Sequence, residues 1–337
     1  MRSTRLTLTL RALPLPTPSW RRPSWMLPVW LVAGLALALT LAPDFAGGAA
    51  AERVPRPDTA TRVIAAAGDI ACDPTGGAFH GGRGTADACH MRAVSDLLLD
   101  LDPALVLTLG DNQYENGTLT KYRRSYAPTW GRLKARTRPS PGNHEYNTKG
   151  AAGYYDYFGS RAGNRATGWY SFDLGAWHLI ALNSECAKIG GCGATSPQVR
   201  WLRADLAAHP TACTLAYWHK PRFSSGQHGD DPAFGAFWRA LDAAGADVVL
   251  SGHDHDYERF APQSPAGRPD PKGIREFVVG TGGKTHYGFR TIRRNSQVRN
   301  TGTFGILELR LAPGRYSWRF RPEPGKTFSD HGSGRCH

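Results

Sequence analysis

Five apolar runs in this chain end in a side chain able to hold a metal ion. Ile64-Ala-Ala-Ala-Gly stops at Asp69, and Val106-Leu-Thr-Leu-Gly stops at Asp111, with Tyr114 three residues further on. Pro141-Gly leads to Asn143-His144, Leu215-Ala-Tyr-Trp leads to His219, and Val248-Val-Leu-Ser-Gly leads to His253-Asp-His255. Short apolar runs bounded by glycine read as buried strands. Open α/β sheets bind ligands just beyond the carboxyl ends of their strands. A single Gly-Asp after a strand is ordinarily a turn. Five strand ends offering carboxylate, phenol, amide and imidazole together constrain the fold and the chemistry.

The segments between these runs supply the helices. Met91, Val94, Leu97, Leu98 and Leu101 recur at helical spacing, so residues 88–101 form a helix ended by Pro103. With the strands on either side it makes a βαβ unit, which requires a parallel strand pair. A second helix is expected over 119–136 and a hairpin over 169–173 and 177–183. Ser196-Pro197 opens a third helix, and a fourth spans 232–244. Further strands are expected at 277–279, 303–311 and 315–321. No repeat or linker divides residues 62–321. The expected fold class is α/β: one domain over 62–337, two packed mixed β-sheets with helices outside.

The first 51 residues differ. Arg2, Arg5, Arg11, Arg21 and Arg22 precede an apolar run from Met26 to Ala42, followed by Ala49-Ala-Ala51. That is the layout of an export signal, the alternative being a membrane anchor at the short limit for a span; residues 52–61 read as an extended tail. All six cysteines (Cys72, Cys89, Cys186, Cys192, Cys213, Cys336) follow the signal. An even count in an exported chain reads as disulfides. Six cysteines allow fifteen pairings; short-loop closure favours 72–89 and 186–192, leaving 213–336. The full chain carries a formal charge of +13, but no aromatic-basic ladder points to nucleic acid. A small-molecule substrate is expected, and no protein partner is evident.

Asp69, Asp111, Tyr114, Asn143, His219, His253 and His255 offer oxygen and imidazole donors without thiolate, a set suited to Fe, Mn or Zn. Seven donors exceed one tetrahedral site, so two ions are expected with a carboxylate between them. At this point the residues resemble a family. Gly-Asp69, Gly-Asp111-x-x-Tyr114, Gly-Asn143-His144-Glu145, A-x-x-His219 and Gly-His253-x-His255 with Tyr-Glu-Arg259 are similar to the calcineurin-like metallophosphoesterases, and most like the purple acid phosphatases among them. The resemblance implies a four-layer αββα sandwich. It also implies that Asp69, Asp111, Tyr114 and His255 hold one metal, and that Asp111, Asn143, His219 and His253 hold the other. Ala71 stands where most of the superfamily has a ligating His, so Tyr114 would replace it and favour Fe(III), beside a divalent Fe, Zn or Mn. Departures from the purple enzymes are Ala71 and Ala216, where Gly and Val are usual.

The expected activity is phosphomonoester hydrolysis by attack of a metal-bound hydroxide. The alternatives are a phosphodiesterase acting on nucleotides or phospholipid head groups, and a non-catalytic, metal-containing envelope-binding protein. His144 and His228 are the expected acids, since an imidazole titrates near neutrality. Arg259 reads equally as a phosphate clamp or a salt-bridge partner. Asp254, Asp256 and Glu145 are expected to orient ligating histidines; His178, His209 and His286 read as structural or solvent-exposed.

Overall fold

The computed structural model describes residues 60–337. The signal or anchor over 1–51, and the tail as far as residue 59, lie outside the described residues. Among those described, no helix is long and apolar enough to cross a membrane.

Among the described residues, thirteen strands form two mixed sheets. The first has six, β1 (Arg62–Ala67), β2 (Leu105–Leu109), β3 (Thr137–Ser140), β11 (Gly305–Ala312), β12 (Arg315–Pro322) and β13 (His331–Arg335), in the order β13-β12-β11-β1-β2-β3. The second has seven, β4 (Tyr170–Leu174), β5 (Trp177–Ala181), β6 (Thr214–Tyr217), β7 (Val248–Ser251), β8 (Tyr257–Phe260), β9 (Arg275–Val279) and β10 (Ser296–Asn300), in the order β10-β8-β9-β7-β6-β5-β4. β1, β2 and β3 run parallel, as do β5, β6, β7 and β9. The carboxyl ends of both parallel sets meet along one rim, linked directly by Gly68 N–H donating to Val279 O at 2.9 Å.

Alternation along the strands builds the layers. Leu179, Leu215, Tyr217, Val248, Leu250, Phe277 and Val279 point into the core shared with the first sheet. Their neighbours Ile180, Ala216, Val249 and Val278 point the other way, onto α4 (Pro197–Ala208) and α5 (Gly235–Ala243). A period of two therefore fills two cores from one sheet. On the first sheet, α1 (Met91–Leu101) buries Met91, Val94 and Leu98. The result is the four-layer αββα arrangement. α4 starts as its sequence demands: the Ser196 hydroxyl accepts from Val199 N–H, and Pro197 occupies the first turn.

The helix expected over 119–136 is broken. One turn, α2 (Leu119–Lys121), runs into a wider turn over Tyr122–Tyr126, and a 3₁₀ segment follows at Trp130–Arg136. Pro128 lacks the N–H that a continuous helix needs there. Tyr122 and Tyr126 are instead packed against Tyr157 and Phe158 of α3 (Ala152–Phe158). The strands β8, β10 and β13 exceed the expectation. β13, His-Gly-Ser-Gly-Arg, has no apolar pattern to read. Its Gly332 and Gly334 lie under the Trp318 and Tyr316 rings, where a Cβ would come within 2.3–2.4 Å of ring carbons.

Disulfides join Cys72 to Cys89, Cys186 to Cys192 and Cys213 to Cys336. The first two are the pairs that short-loop closure favours, and the third is the pair that they leave. The third ties the end of β13 to the start of β6.

Candidate metal centre

Glycines let the five loops converge on the shared rim. A Cβ on Gly110 would lie 2.5 Å from the His219 ring, and one on Gly142 would lie 2.2 Å from Asp111 Oδ1. Asp69, Asp111 and His253 adopt left-handed backbone angles, with φ of 60°, 45° and 72°. Such conformations cost energy for residues with a Cβ and concentrate at functional sites. Here they aim three side chains off their strand ends into one space.

The seven expected donors are brought together, in two knots that share one atom. Around the first, Tyr114 Oη lies 2.8 Å from Asp69 Oδ1, 3.1 Å from Asp111 Oδ2 and 2.9 Å from His255 Nε2. Around the second, His219 Nε2 lies 3.1 Å from the same Asp111 Oδ2, 3.1 Å from Asn143 Oδ1 and 3.2 Å from His253 Nδ1. The shared atom is Asp111 Oδ2.

Lone pairs outnumber protons in both knots. One phenolic O–H faces two carboxylates and an imidazole. His219 Nδ1 sits 2.9 Å from Leu109 O and so carries a proton, leaving Nε2 to face a carboxylate oxygen, an amide oxygen and a second imidazole nitrogen. Cations at these points would satisfy all the donors at once, and the oxygen and nitrogen set suits Fe, Mn or Zn. The outward nitrogens are fixed as ligating histidines require: His219 Nδ1 by that carbonyl, His255 Nδ1 by Thr285 Oγ1 at 2.8 Å. The residues present fit a pair of metal ions.

Electrostatics agree with this demand. Burial, then the Asp111 and Asp69 carboxylates, raise the Tyr114 phenol well above its ordinary range, so a strong local positive charge is needed to hold it as phenolate. Burial and the neighbouring His219 and His228 hold His253 well below its usual value, keeping a lone pair available. His219 is the exception: burial opposes a proton there, but Asp111 outweighs it and pushes the group up to about 9, so Nε2 holds a proton against Asp111 that a bound cation would displace.

Both expected acids lie at the edge of the cluster. His144 Nδ1 is held by Glu115 O at 2.7 Å, and its Nε2 is 3.8 Å from Asp111 Oδ2. The His228 ring stacks on His253 with centroids 4.0 Å apart, and its Nδ1 is fixed by Asp254 at 2.8 Å. Both rings remain partly open to solvent. Arg259 takes the salt-bridge alternative. Its Nε is 2.7 Å from Asp330 Oδ2 and its guanidinium lies over Trp318, so it is not free to clamp phosphate.

The acidic residues expected to orient ligating histidines act otherwise. Asp254 orients His228. Glu145 accepts from the backbone N–H of Gly142 (2.7 Å) and Gln113 (3.2 Å) and from Tyr122 Oη (3.0 Å), so it shapes the loops. Both Asp256 carboxylate oxygens are buried without a hydrogen-bond partner among the described residues; burial first, then Asp254 and Glu258, raise its pKa well above normal. Sequence reasoning missed Thr285 and Tyr287, whose ring stacks on His255 at 3.9 Å. Their only signal was the Gly280-Thr-Gly-Gly283 loop at the end of β9.

His178 is structural, as expected, and is clamped between Asp173 (2.7 Å) and Asp205 (2.9 Å). Burial disfavours its charge, but the two carboxylates prevail and raise its pKa. A raised histidine pKa stabilises the fold fully below the unfolded value near 6.5 and loses that stabilisation as pH rises through the folded value. Replacing His178 with Gln should therefore cost about 2 kcal/mol at mildly acid pH and distinctly less in alkaline buffer. Urea denaturation at the two pH values checks this; equal losses would remove the charge from the account.

The fold and the clustered donors define a two-sheet sandwich with a candidate binuclear centre on its rim. The calcineurin-like phosphoesterase family profile matches residues 63–257, more than half of the chain. The chain belongs to that family. It is 29% identical over 223 residues to purple acid phosphatase 15 of Arabidopsis thaliana, covering 55% of this chain and 41% of the relative. It is 29% identical over 211 residues to human acid phosphatase type 7, covering 53% and 46%. The matches thus span less than half the length of these relatives. Among solved structures it is similar to a purple acid phosphatase from yellow lupin seeds, with TM-score 0.67 and 18% identity over 83% of this chain and 55% of that one. It is also similar to PhoD, with TM-score 0.52 and 12% identity over 83% and 70%. These likenesses show the fold.

Proposed function

We propose that the chain is an exported phosphoesterase that hydrolyses phosphomonoesters at a two-metal centre. The observation that carries this reading is the pair of donor knots sharing Asp111 Oδ2. Asp69, Asp111, Tyr114 and His255 would hold one ion, with Fe(III) favoured beside the phenolate. Asp111, Asn143, His219 and His253 would hold a divalent ion. When bound, such a pair activates water as a nucleophile and neutralises charge on the phosphoryl oxygens.

The chain's own residues supply the rest. His144, fixed through Nδ1, keeps Nε2 to hydrogen-bond a phosphate oxygen or to protonate the departing alkoxide. His228, fixed by Asp254, keeps its Nε2 for the same proton. Glu145 and Gln113 hold the loops that carry Asp111, Asn143 and Tyr114, and so limit their wandering. Three disulfides and the leader-like first 51 residues support export. Residues 62–337 would be the catalytic domain.

One experiment tests the reading. Iron-loaded full-length chain is assayed on a panel of phosphomonoesters and phosphodiesters while its visible spectrum is recorded. The expectation is a kcat/KM for monoesters at least about tenfold above that for diesters, together with a visible band that Tyr114→Phe loses. Preference for diesters would assign the site to the alternative substrate class. A colourless protein at full iron occupancy would remove Tyr114 from the ligands.

A further inference from the structure

The outer face of β11, β12 and β13 carries a second feature, remote in chemistry from the metal centre. Alternation sends Tyr316, Trp318 and Phe320 into the core and turns Arg315, Ser317, Arg319 and Arg321 outward. Cross-strand register sets Arg319 between Glu308 and His331, and Arg315 between Ala312 and Arg335, with Arg310 beside Ser317. Five guanidinium groups thus occupy one side of three adjacent strands. Neighbouring strands lie about 4.8 Å apart and same-side residues about 6.8 Å apart along a strand, so the cations form a flat lattice.

Charge balance on this face is one-sided. Glu308 is buried and is shared by Arg310, at 2.8 Å, and Arg321. Arg315, Arg319 and Arg335 are exposed and have no acidic partner among the described residues. Like charges this close repel, and a fold keeps them together at a cost in stability. Where α1 meets the face there is an open depression of about 400 Å³, lined by Arg310, Arg319 and Arg321, by Leu97 and Leu101, and by Asp100.

We infer that this face docks on an anionic bilayer surface. The chemistry favours that occupant over a nucleic acid or another single strand. The aromatic rings of β12 point inward, so no stacking platform is offered to bases. The array is a sheet face carrying guanidinium groups rather than a groove that follows one chain. Leu97 and Leu101 of α1, at the edge of the arginine face, suit a surface with apolar material just beneath its charges. Register sets Arg315 and Arg335 level with the amino end of β1, the end away from the donor cluster, so docking through them leaves the site open. The inference does not depend on the catalytic reading.

The test uses the full chain and a variant carrying Arg315→Gln, Arg319→Gln and Arg335→Gln. Both keep the first 59 residues, whose contribution to binding cancels. Partition is measured onto vesicles of phosphatidylcholine alone and of phosphatidylcholine mixed with phosphatidylglycerol. The wild type should prefer the mixed vesicles, and the variant should lose on the order of a hundredfold of that binding, at roughly one step per surface arginine. High salt should erase the difference, and thermal unfolding of both proteins should coincide. Equal binding of the wild type to both vesicles, or equal binding of wild type and variant to the mixed ones, would overturn the inference. So would displacement of the wild type by inorganic polyphosphate at matched phosphate concentration, which would assign the face to a soluble polymer.

Discussion

Asp111→Ala should lower kcat/KM toward a phosphomonoester by on the order of a thousandfold or more while leaving the protein folded. The expectation follows from a single atom. Asp111 Oδ2 touches both Tyr114 Oη and His219 Nε2, so its removal takes a donor from each knot. The other oxygen, Oδ1, accepts from His144 N–H at 2.9 Å and thereby places the histidine expected to act as acid. Loss of a residue that only orients a metal ligand costs about 10- to 100-fold. Loss of one donor to developing charge costs about 10²- to 10³-fold. Asp111 combines such roles, so its effect should exceed either. Circular dichroism and thermal unfolding separate this loss from misfolding.

The second large effect is on stability. Replacing Cys213 and Cys336 together with Ser should destabilise the fold by about 5 kcal/mol, whereas the same change at Cys186 and Cys192 should cost about 2 kcal/mol. The contrast lies in loop length: 123 residues separate the first pair and 6 the second. A bridge that closes a longer loop removes more freedom from the unfolded chain. The native state adds to the difference. β13 is an edge strand of glycine and polar residues and buries little of its own, so the bridge anchors it to the start of β6. Denaturant titration without reductant measures both variants. Equal losses would mean that the C-terminal strand holds itself in place.

Much of the cluster could be read in the sequence because local rules generate it. An apolar run, a glycine and a ligand-type side chain specify a strand end wherever they occur, and parallel crossovers bring such ends to one rim. Asp69, Asp111 and His253 carry that signature in full; Asn143 keeps the glycine, His219 follows its apolar run directly, and His255 lies two residues beyond His253. Thr285 and Tyr287 do not. They reach the cluster because Gly282 N–H bonds Gly68 O and Lys284 N–H bonds Asp69 O, pairings more than two hundred residues apart. Arg259 left two readings open for the same reason, since Asp330 lies 71 residues away and no local pattern names it. In the stretch 119–136 the local pattern misled. One helix is expected there, while Pro128 and the tyrosine cluster impose three short turns.

If these seven donors hold two ions, metal content must show it. Full-length wild type, purified with iron and zinc or manganese supplied and then freed of excess, should contain two equivalents per chain by elemental analysis. Asp111→Ala, treated identically, should retain almost none. A wild type that hydrolyses phosphomonoesters at full rate with one equivalent or none, or an Asp111→Ala variant that keeps two, would rule out a shared two-ion centre at these donors.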